Sequence, residues 1–200
     1  MKTTTGRGLG WASAAMLAKR RLACATRRLL PLLLLLTLPA VVQAQFDYMD
    51  NDDGTCTITG YSGSGGAVTI PGTTNDLVVT CISNWAFKYC PSLTGVTIPN
   101  SVINIGDFAF INCTNLTSVT IGKGVANIGD NVFLNCTSLC DVYFKGIAPR
   151  LGRDVFNRDD KVTVYYLSGT TGWSKTFGGR PTAPWNPQVR SNATSGVRSN

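Results

Sequence analysis

The chain has 200 residues, of which 44% are hydrophobic, and it carries a formal net charge of +7. Residues 1–44 hold seven of the 18 basic residues and no acidic one, so 11 basic and 11 acidic residues remain after Ala44. This neutral remainder gives no electrostatic reason to expect nucleic-acid binding. Because the sequence has neither His nor Glu, it excludes Ser-His-Asp and Cys-His arrangements and a His-based zinc helix.

The first 44 residues have the organisation of a secretory signal peptide. Basic residues between 19 and 28 precede an apolar stretch with five leucines at 32–36, and small residues end it at Ala44. The stretch contains two prolines and is short for a bilayer-spanning helix, although a retained membrane anchor is the alternative. We predict cleavage after Ala44, a secreted or cell-surface protein, and no membrane insertion after cleavage. The long basic segment leaves Met16 open as the true start.

A 23-residue period dominates the rest of the sequence. Five columns of mostly apolar residues recur at this spacing and stay in phase with one another. They are Phe87, Phe110, Phe133 and Phe156; Ile82, Ile105, Ile128 and Leu151; Cys90, Cys113 and Cys136; Leu93, Leu116 and Leu139; and Val96, Val119 and Val142. A fixed period of this length is typical of a solenoid, whose coils bury their apolar faces against one another.

Each 23-residue unit contains a predicted strand and a predicted helical turn. Alternating β-branched residues, as at 96–98, indicate a short strand that ends at Pro99 or at Gly122. Gly106 or Gly129 then opens a helical turn that carries a phenylalanine into the core. The pattern predicts an α/β solenoid with short parallel strands, helical turns and a spine of stacked phenylalanines.

The two ends depart from the period, and we predict that they cap the solenoid. The predicted domains are an N-terminal β cap at 45–67, the solenoid at 68–167, a C-terminal cap at 168–189 and a disordered tail at 190–200. Three aromatic residues of the C-terminal cap, Trp173, Phe177 and Trp185, should fold over the last coil. We therefore expect a monomer, whereas exposure of these three side chains would favour end-to-end association.

Six cysteines follow Ala44, an even number that in a secreted chain would suggest disulfides. Three of them, however, occupy one column of the repeat, where a small buried side chain is needed. We predict that this column consists of free buried thiols. A bridge between Cys56 and Cys81 stays open, and so does the state of Cys140.

The repeat resembles the BspA-like class of leucine-rich repeats, whose unit reads approximately LxxVxIPxSVxxIGxxAFxxC. Eleven positions of one unit carry the resemblance: Leu93, Val96, Ile98, Pro99, Ser101, Val102, Ile105, Gly106, Ala109, Phe110 and Cys113. The resemblance implies a horseshoe-like α/β solenoid, an exported bacterial protein, a role in adhesion or protein binding, and no enzymatic activity. Later units depart from the motif at single positions, such as Gly122 in place of the proline and Asp159 in place of the cysteine.

Few residues in the sequence suggest a catalytic site or a metal site. The acidic run at 47–54 fails as a calcium loop, because Met49 and Gly60 fall where the loop needs carboxylates, and a solvated turn is the simpler interpretation. Neighbouring Asp159 and Asp160 lie in a predicted turn. We expect no enzyme activity, no cofactor and no metal site.

The candidate site is the outward face of the predicted sheet. In each LxxVxI strand the x positions point away from the core and make a surface of small hydroxyls beside a carboxylate and an aromatic ring. We predict that a protein or glycan at the cell surface binds there, with Tyr143 as the best anchor. The predicted partner-binding residues are Thr94, Thr97, Thr117, Ser118, Thr120, Asp141 and Tyr143. The alternative interpretations are that Thr simply suits an exposed strand, and that the protein is architectural without a specific ligand.

Overall fold

The computed structural model describes residues 45–187, in which fourteen short strands are joined by turns. The 23-residue spacing brings equivalent strands of successive coils side by side, since each coil can bury its apolar residues only against its neighbours. Numbered along the chain, the strands are β1 (Phe46–Asp50), β2 (Thr55–Tyr61), β3 (Gly66–Thr69), β4 (Thr73–Thr74), β5 (Leu77–Ile82), β6 (Leu93–Thr97), β7 (Asn104–Ile105), β8 (Ser118–Ile121), β9 (Asn127–Ile128), β10 (Asp141–Phe144), β11 (Arg150–Leu151), β12 (Thr163–Leu167), β13 (Thr176–Phe177) and β14 (Arg180–Trp185).

Two sheets run along the stack of coils. The front sheet has the order β13-β14-β12-β10-β8-β6-β3, and all of its pairs are parallel except β13 with β14. The side sheet has the order β1-β2-β5-β7-β9-β11, with β4 antiparallel to β5. The parallel strands of both sheets alternate along the chain, so each coil contributes one strand to each sheet.

The strand register follows the predicted period. Val96 pairs with Val119 and Val119 with Val142, each 23 residues apart. The last repeat is one residue shorter, since Val142 pairs with Val164. This 22-residue step is why the period alone does not fix the register of β12.

The predicted phenylalanine spine is present and forms the centre of the core. The ring centroids of Phe87 and Phe110 lie 4.7 Å apart, those of Phe110 and Phe133 5.4 Å, and those of Phe133 and Phe156 5.7 Å. Neighbouring rings are within 20° of parallel, and all four side chains are buried. The offset stack buries large apolar areas and links four coils through one continuous contact.

The predicted helical turns are wrong, because residues 45–187 contain no helix. Each coil instead has two residues in the left-handed region four positions apart, such as Phe108 (φ 56°) with Asn112 (φ 59°) and Asn131 (φ 55°) with Asn135 (φ 61°). Left-handed residues break a right-handed helix, and Asn is the residue that adopts this conformation most readily after Gly. The fold is therefore a β-solenoid of strands and turns, and the α/β class is corrected accordingly.

The amides of these turns point along the stack and not along a helix axis. The Phe87 N–H donates to the carbonyl of Ala109 (2.7 Å), and the Phe110 N–H donates to the carbonyl of Val132 (2.9 Å). The same contact recurs one coil later, from Phe133 to Val155 (3.0 Å). The turns thus form a third hydrogen-bonded ladder, which satisfies buried backbone groups that a helix would have paired internally.

Aromatic residues at both ends pack against the core. At the start, the antiparallel β1–β2 pair carries Phe46 and Tyr61, whose ring centroids lie 5.4 Å apart. The Phe46 ring lies 6.2 Å from the Phe87 ring, and the Tyr61 ring stacks on Phe87 at 5.2 Å. At the other end, Trp173 and Phe177 lie 5.0 and 5.5 Å from Phe144. The capping role of the ends and the domain boundaries stay predictions.

The predicted signal peptide and the tail lie outside the described residues. Within residues 45–187, no helix is long and apolar enough to cross a membrane.

All six cysteines of residues 45–187 are free, including Cys56 and Cys81. In the repeat column, the Cys113 thiol donates to the Phe87 carbonyl and the Cys136 thiol to the Phe110 carbonyl, each at 3.1 Å. Both side chains are fully buried, whereas Cys90 is half-buried. The column therefore consists of free thiols that fill the turn and satisfy a carbonyl of the previous coil.

Replacement of Phe133 by Ala should destabilise the protein by about 3–5 kcal/mol, because it leaves a cavity between two stacked rings in a fully buried column. Urea denaturation followed by circular dichroism measures the change in the free energy of unfolding. Ile147, which is 63% exposed, gives the control, since Ile147→Ala should change stability by no more than about 0.5 kcal/mol. A loss below about 1 kcal/mol for Phe133→Ala would contradict the spine as the main source of stability.

Candidate functional site

The seven predicted partner-binding residues lie together on β6, β8 and β10 or beside them. Pairing places Thr97 opposite Thr120, Thr120 opposite Tyr143, and Ser118 opposite Asp141. The Thr117 hydroxyl donates to the Thr94 carbonyl (2.9 Å), which joins the remaining two residues across the coils. These residues are therefore neighbours in the front sheet, but Tyr143 is buried, which corrects its prediction as an exposed anchor. That a partner binds to these residues stays a prediction.

This surface is polar and open over most of its extent. Thr94 and Thr117 are exposed, and Thr97, Thr120 and Asp141 are half-exposed. Successive strands of a sheet lie about 4.8 Å apart, so the three strands that carry these residues present a surface about 10 Å long across the coils.

Tyr143 has a different environment from the threonines. Its side chain is only 7% exposed, and its ring stacks on Tyr165 (4.9 Å between centroids, 17° between planes). The Trp185 ring, from β14, lies 5.1 Å from the Tyr143 ring. These three residues are named the aromatic cluster. Tyr143 is its centre, and the half-exposed Tyr165 and Trp185 present more of its surface to solvent.

Sequence reasoning missed Tyr165 and Trp185 as members of the candidate site. Tyr165 follows Tyr143 by 22 residues, so a search at a spacing of 23 does not find it. Trp185 enters through the parallel pairing of β14 with β12, which brings Leu167 opposite Trp185. A tolerance of one residue in the period would have found Tyr165, but no repeat signal marks Trp185.

No group of three or more metal-ligating side chains is found among residues 45–187. In the acidic run, the Asp53 carboxylate accepts hydrogen bonds from the Thr55 hydroxyl (2.6 Å) and the Thr55 N–H (3.0 Å). These two bonds lower the pKa of Asp53. An Asp50 oxygen accepts the N–H of Asp52 (2.8 Å), so these carboxylates organise a turn.

Two thiols of the cysteine column, those of Cys90 and Cys113, have raised pKa values. Hydrogen bonding to the Cys136 thiol, together with burial, raises the pKa of Cys113 to about 12. The bond to Cys113 likewise raises the pKa of Cys90, with burial adding to it. Because the thiolate is the nucleophilic form, neither side chain is suited to catalysis.

Asp159 is a buried carboxyl group that occupies the position of the cysteine in the last coil. Its side chain is 1% exposed, and neither carboxylate oxygen makes a hydrogen bond of ordinary geometry. Burial raises its pKa to about 7, although the Cys136 backbone and the positive charge of Arg180 oppose the rise. Arg180 itself pairs with the neighbouring Asp160 (3.1 Å) and donates to the Phe156 carbonyl (2.7 Å).

The chain belongs to the BspA type leucine-rich repeat family. The model of this family, described as a BspA type leucine rich repeat region, matches residues 68–175 in six copies. This confirms the resemblance inferred from the 23-residue motif.

Solved structures of bacterial leucine-rich repeat proteins share the fold. A leucine-rich repeat protein of T. pallidum is 28% identical, with a TM-score of 0.56, and the match covers 70% of this chain and 62% of that one. One from Bacteroides capillosus is 28% identical (TM-score 0.54; 61% of this chain, 94% of that one). A leucine-rich cell surface protein of Faecalibacterium prausnitzii is 28% identical (TM-score 0.51; 70% and 40%).

The match thus spans 62% of the T. pallidum protein. No curated protein matches the chain. One of these relatives, that of Faecalibacterium prausnitzii, is described as a cell surface protein.

Asp159 should make the stability of the protein depend on pH. An aspartate in the unfolded chain loses its proton near pH 4, whereas the folded protein holds the proton of Asp159 up to about pH 7. The contribution of Asp159 to stability is therefore greatest below about pH 4, falls between pH 4 and 7, and stays low above pH 7. Asp159→Cys, which restores the repeat residue, should remove this fall and stabilise the protein more at pH 8 than at pH 5.

Urea denaturation at both pH values measures the effect. Asp154→Asn is the matched control, because this carboxyl group is exposed and its replacement should give similar changes at the two pH values. An equal change for Asp159→Cys at pH 5 and pH 8 would contradict the role of burial at Asp159.

Proposed function

We propose that the protein is an exported binding or adhesion module that holds a protein or glycan of the cell surface on the outward face of its front sheet. Membership of a family with a general surface or binding role supports this function. The observation that carries it is the continuous column in which Thr97 and Thr120 lead into the stacked rings of Tyr143 and Tyr165.

The chemistry of this column suits an extended ligand. Threonine hydroxyls donate and accept hydrogen bonds, so they can follow a polar chain without selecting one group strongly. The neighbouring rings offer flat apolar surface with polar edges, at a small cost in side-chain entropy. Ser118 and Asp141, opposite each other in the adjacent column, add further polar groups along the same direction.

The rigidity of the surface favours binding as well. Every strand that carries it is hydrogen-bonded on both sides within the front sheet. The inward residues of the same strands belong to the buried core. A ligand therefore meets side chains whose backbone is already ordered, which lowers the entropic cost of association.

An architectural role without a specific ligand is the second candidate function. One observation favours it: residues 45–109 contain six acidic residues and one basic residue, whereas residues 110–187 contain five acidic and eight basic residues. Opposite charges at the two ends of a stack would favour head-to-tail association of copies. Because these charges are mostly exposed, salt would weaken such an assembly.

The sheet-face proposal predicts that Thr97→Arg together with Thr120→Arg abolishes binding, because two long charged side chains would cover the column. Surface plasmon resonance of the full-length chain against a panel of extracellular-matrix proteins and glycans measures it. Asn127→Arg places the same side chain on the exposed part of the side sheet and should leave binding unchanged. Saturable binding that survives the double substitution would place the site elsewhere, and a panel without saturable binding would favour the architectural role.

The binding function also predicts a monomer. Sedimentation velocity in about 20 mM and about 500 mM salt separates the two candidates, since the Debye length falls several-fold between them. We expect the mass of one chain at both salt concentrations. Larger species that grow with protein concentration at low salt, and disappear at high salt, would favour the architectural role.

A further inference from the structure

A groove of about 420 Å³ opens beside the aromatic cluster, where strands of the front sheet end. It is lined by Asn100, Lys123, Lys145, Leu167, Trp185 and Pro187. Lys145 directly follows β10, and Leu167 and Trp185 are paired at the ends of β12 and β14. The groove is thus continuous with the proposed binding face. Its volume lies within the range of about 300–1,000 Å³ that is usual for small-ligand sites.

Two positive charges border the groove. They belong to Lys123 and Lys145, whose backbones are each hydrogen-bonded to the preceding coil. The Lys145 N–H donates to the Ile121 carbonyl (3.0 Å), and the Lys123 N–H donates to the Asn100 side chain (3.0 Å). A Cβ atom on Gly146 would lie 2.6 Å from the Lys123 carbonyl oxygen, so only glycine allows this approach of the two coils. The positions of the two lysine backbones are therefore fixed by the fold.

Neither lysine is neutralised by the protein. Within the part of the chain that the structure describes, the one ion pair joins Arg180 to Asp160. Both lysine side chains are exposed. Two unpaired ammonium groups beside one groove give it a positive potential, which favours a ligand that carries negative charge.

The wall of the groove is apolar, flat and ordered. Leu167 and Trp185 are both half-buried, and the Trp185 ring rests against Tyr143. The Ser168 N–H and hydroxyl both donate to the Trp185 carbonyl (3.1 and 3.3 Å), which fixes the end of β14. A Trp held in this way offers a rigid surface to a ring-shaped ligand.

We infer that the groove binds an acidic saccharide, with a carboxylate of the sugar between Lys123 and Lys145 and a sugar ring against Trp185. This inference rests on the proposed function and names the ligand class for one end of the same surface. An acidic peptide shares the charge but fits less well. Extended peptides bind by adding a strand to a free sheet edge. β14 pairs with β13 through Arg180 and Pro181, and the end of β14 beside the groove carries Pro184, which lacks the N–H group that an added strand needs.

The test uses the full-length chain and two probes, tetragalacturonic acid and its carboxyl-reduced neutral counterpart, titrated by isothermal calorimetry. We expect saturable binding of the acidic tetrasaccharide and at least tenfold weaker binding of the neutral one. Lys123→Gln with Lys145→Gln should weaken binding of the acidic probe about tenfold, the combined effect expected of two exposed charge contacts. Lys161→Gln with Lys175→Gln removes the same charge from exposed positions outside the groove and should change the affinity less than twofold.

Three results would overturn the inference. Equal affinity for the two probes would show that the carboxylates of the sugar do not contribute to binding. Equal losses in the two double variants would show that net charge, and not the groove, attracts the ligand. The third result is that a penta-aspartate peptide binds as tightly as the tetrasaccharide and loses this binding when Lys123 and Lys145 are both replaced by Gln. That result would assign the groove to an acidic peptide.

The outcome also separates this inference from the proposed function. If the acidic probe does not bind while the panel ligand is lost on substitution of Thr97 and Thr120, the inference fails and the sheet-face function stands. If neither the probe nor the panel binds, both fail.

Discussion

The stability of this protein depends on contact between successive coils, because no coil has a core of its own. Side chains and backbone reinforce the same 23-residue step. The Phe110 and Phe133 rings stack, and the N–H groups of the same two residues each donate to a carbonyl one coil further on. A change in the number of residues between successive phenylalanines would displace both sets of contacts at once, which explains why the rings from Phe87 to Phe156 stay 23 residues apart.

This constraint divides each coil into residues that must repeat and residues that need not. The inward Val column hardly varies along the sheet, from Val68 to Val164. The outward column next to it changes from Thr97 and Thr120 to Tyr143 and Tyr165 without any change in register. The core does not fix the identity of the residues in this outward column, and the aromatic cluster lies where the column changes from Thr to Tyr.

Much of the fold could be predicted from the sequence, because core columns have a spacing that only a stack of coils satisfies. The spine through Phe133 and the free thiols of Cys113 and Cys136 both follow from it. The helical turns could not be predicted correctly, since the sequence shows a Gly before each turn but does not show the sign of φ within it. The Asn residues at 112, 131 and 135 are the signal that was available, because Asn adopts the left-handed conformation more readily than other residues with a side chain.

The candidate site was predictable only in part. Column positions locate the threonines, since outward residues follow from strand alternation. Trp185 was not predictable, because it belongs to no repeat and reaches the sheet through the pairing of β14 with β12. Asp159 was visible only as a departure from the motif, and its effect on stability depends on burial that a sequence does not report.

The C-terminal end of the repeat array departs from a regular solenoid in three ways. There the period shortens by one residue, a carboxyl group replaces a thiol, and a strand from outside the repeat joins the sheet. A regular array presents the same outward side chains on every coil and can recognise only a ligand with a matching repeat. The aromatic cluster and the two lysines break that regularity at one place, and under the proposed function they would hold a ligand with one ring and one charge in a single position. Recognition at this end needs no change in the core, because the stacked phenylalanines continue beneath it to Phe156.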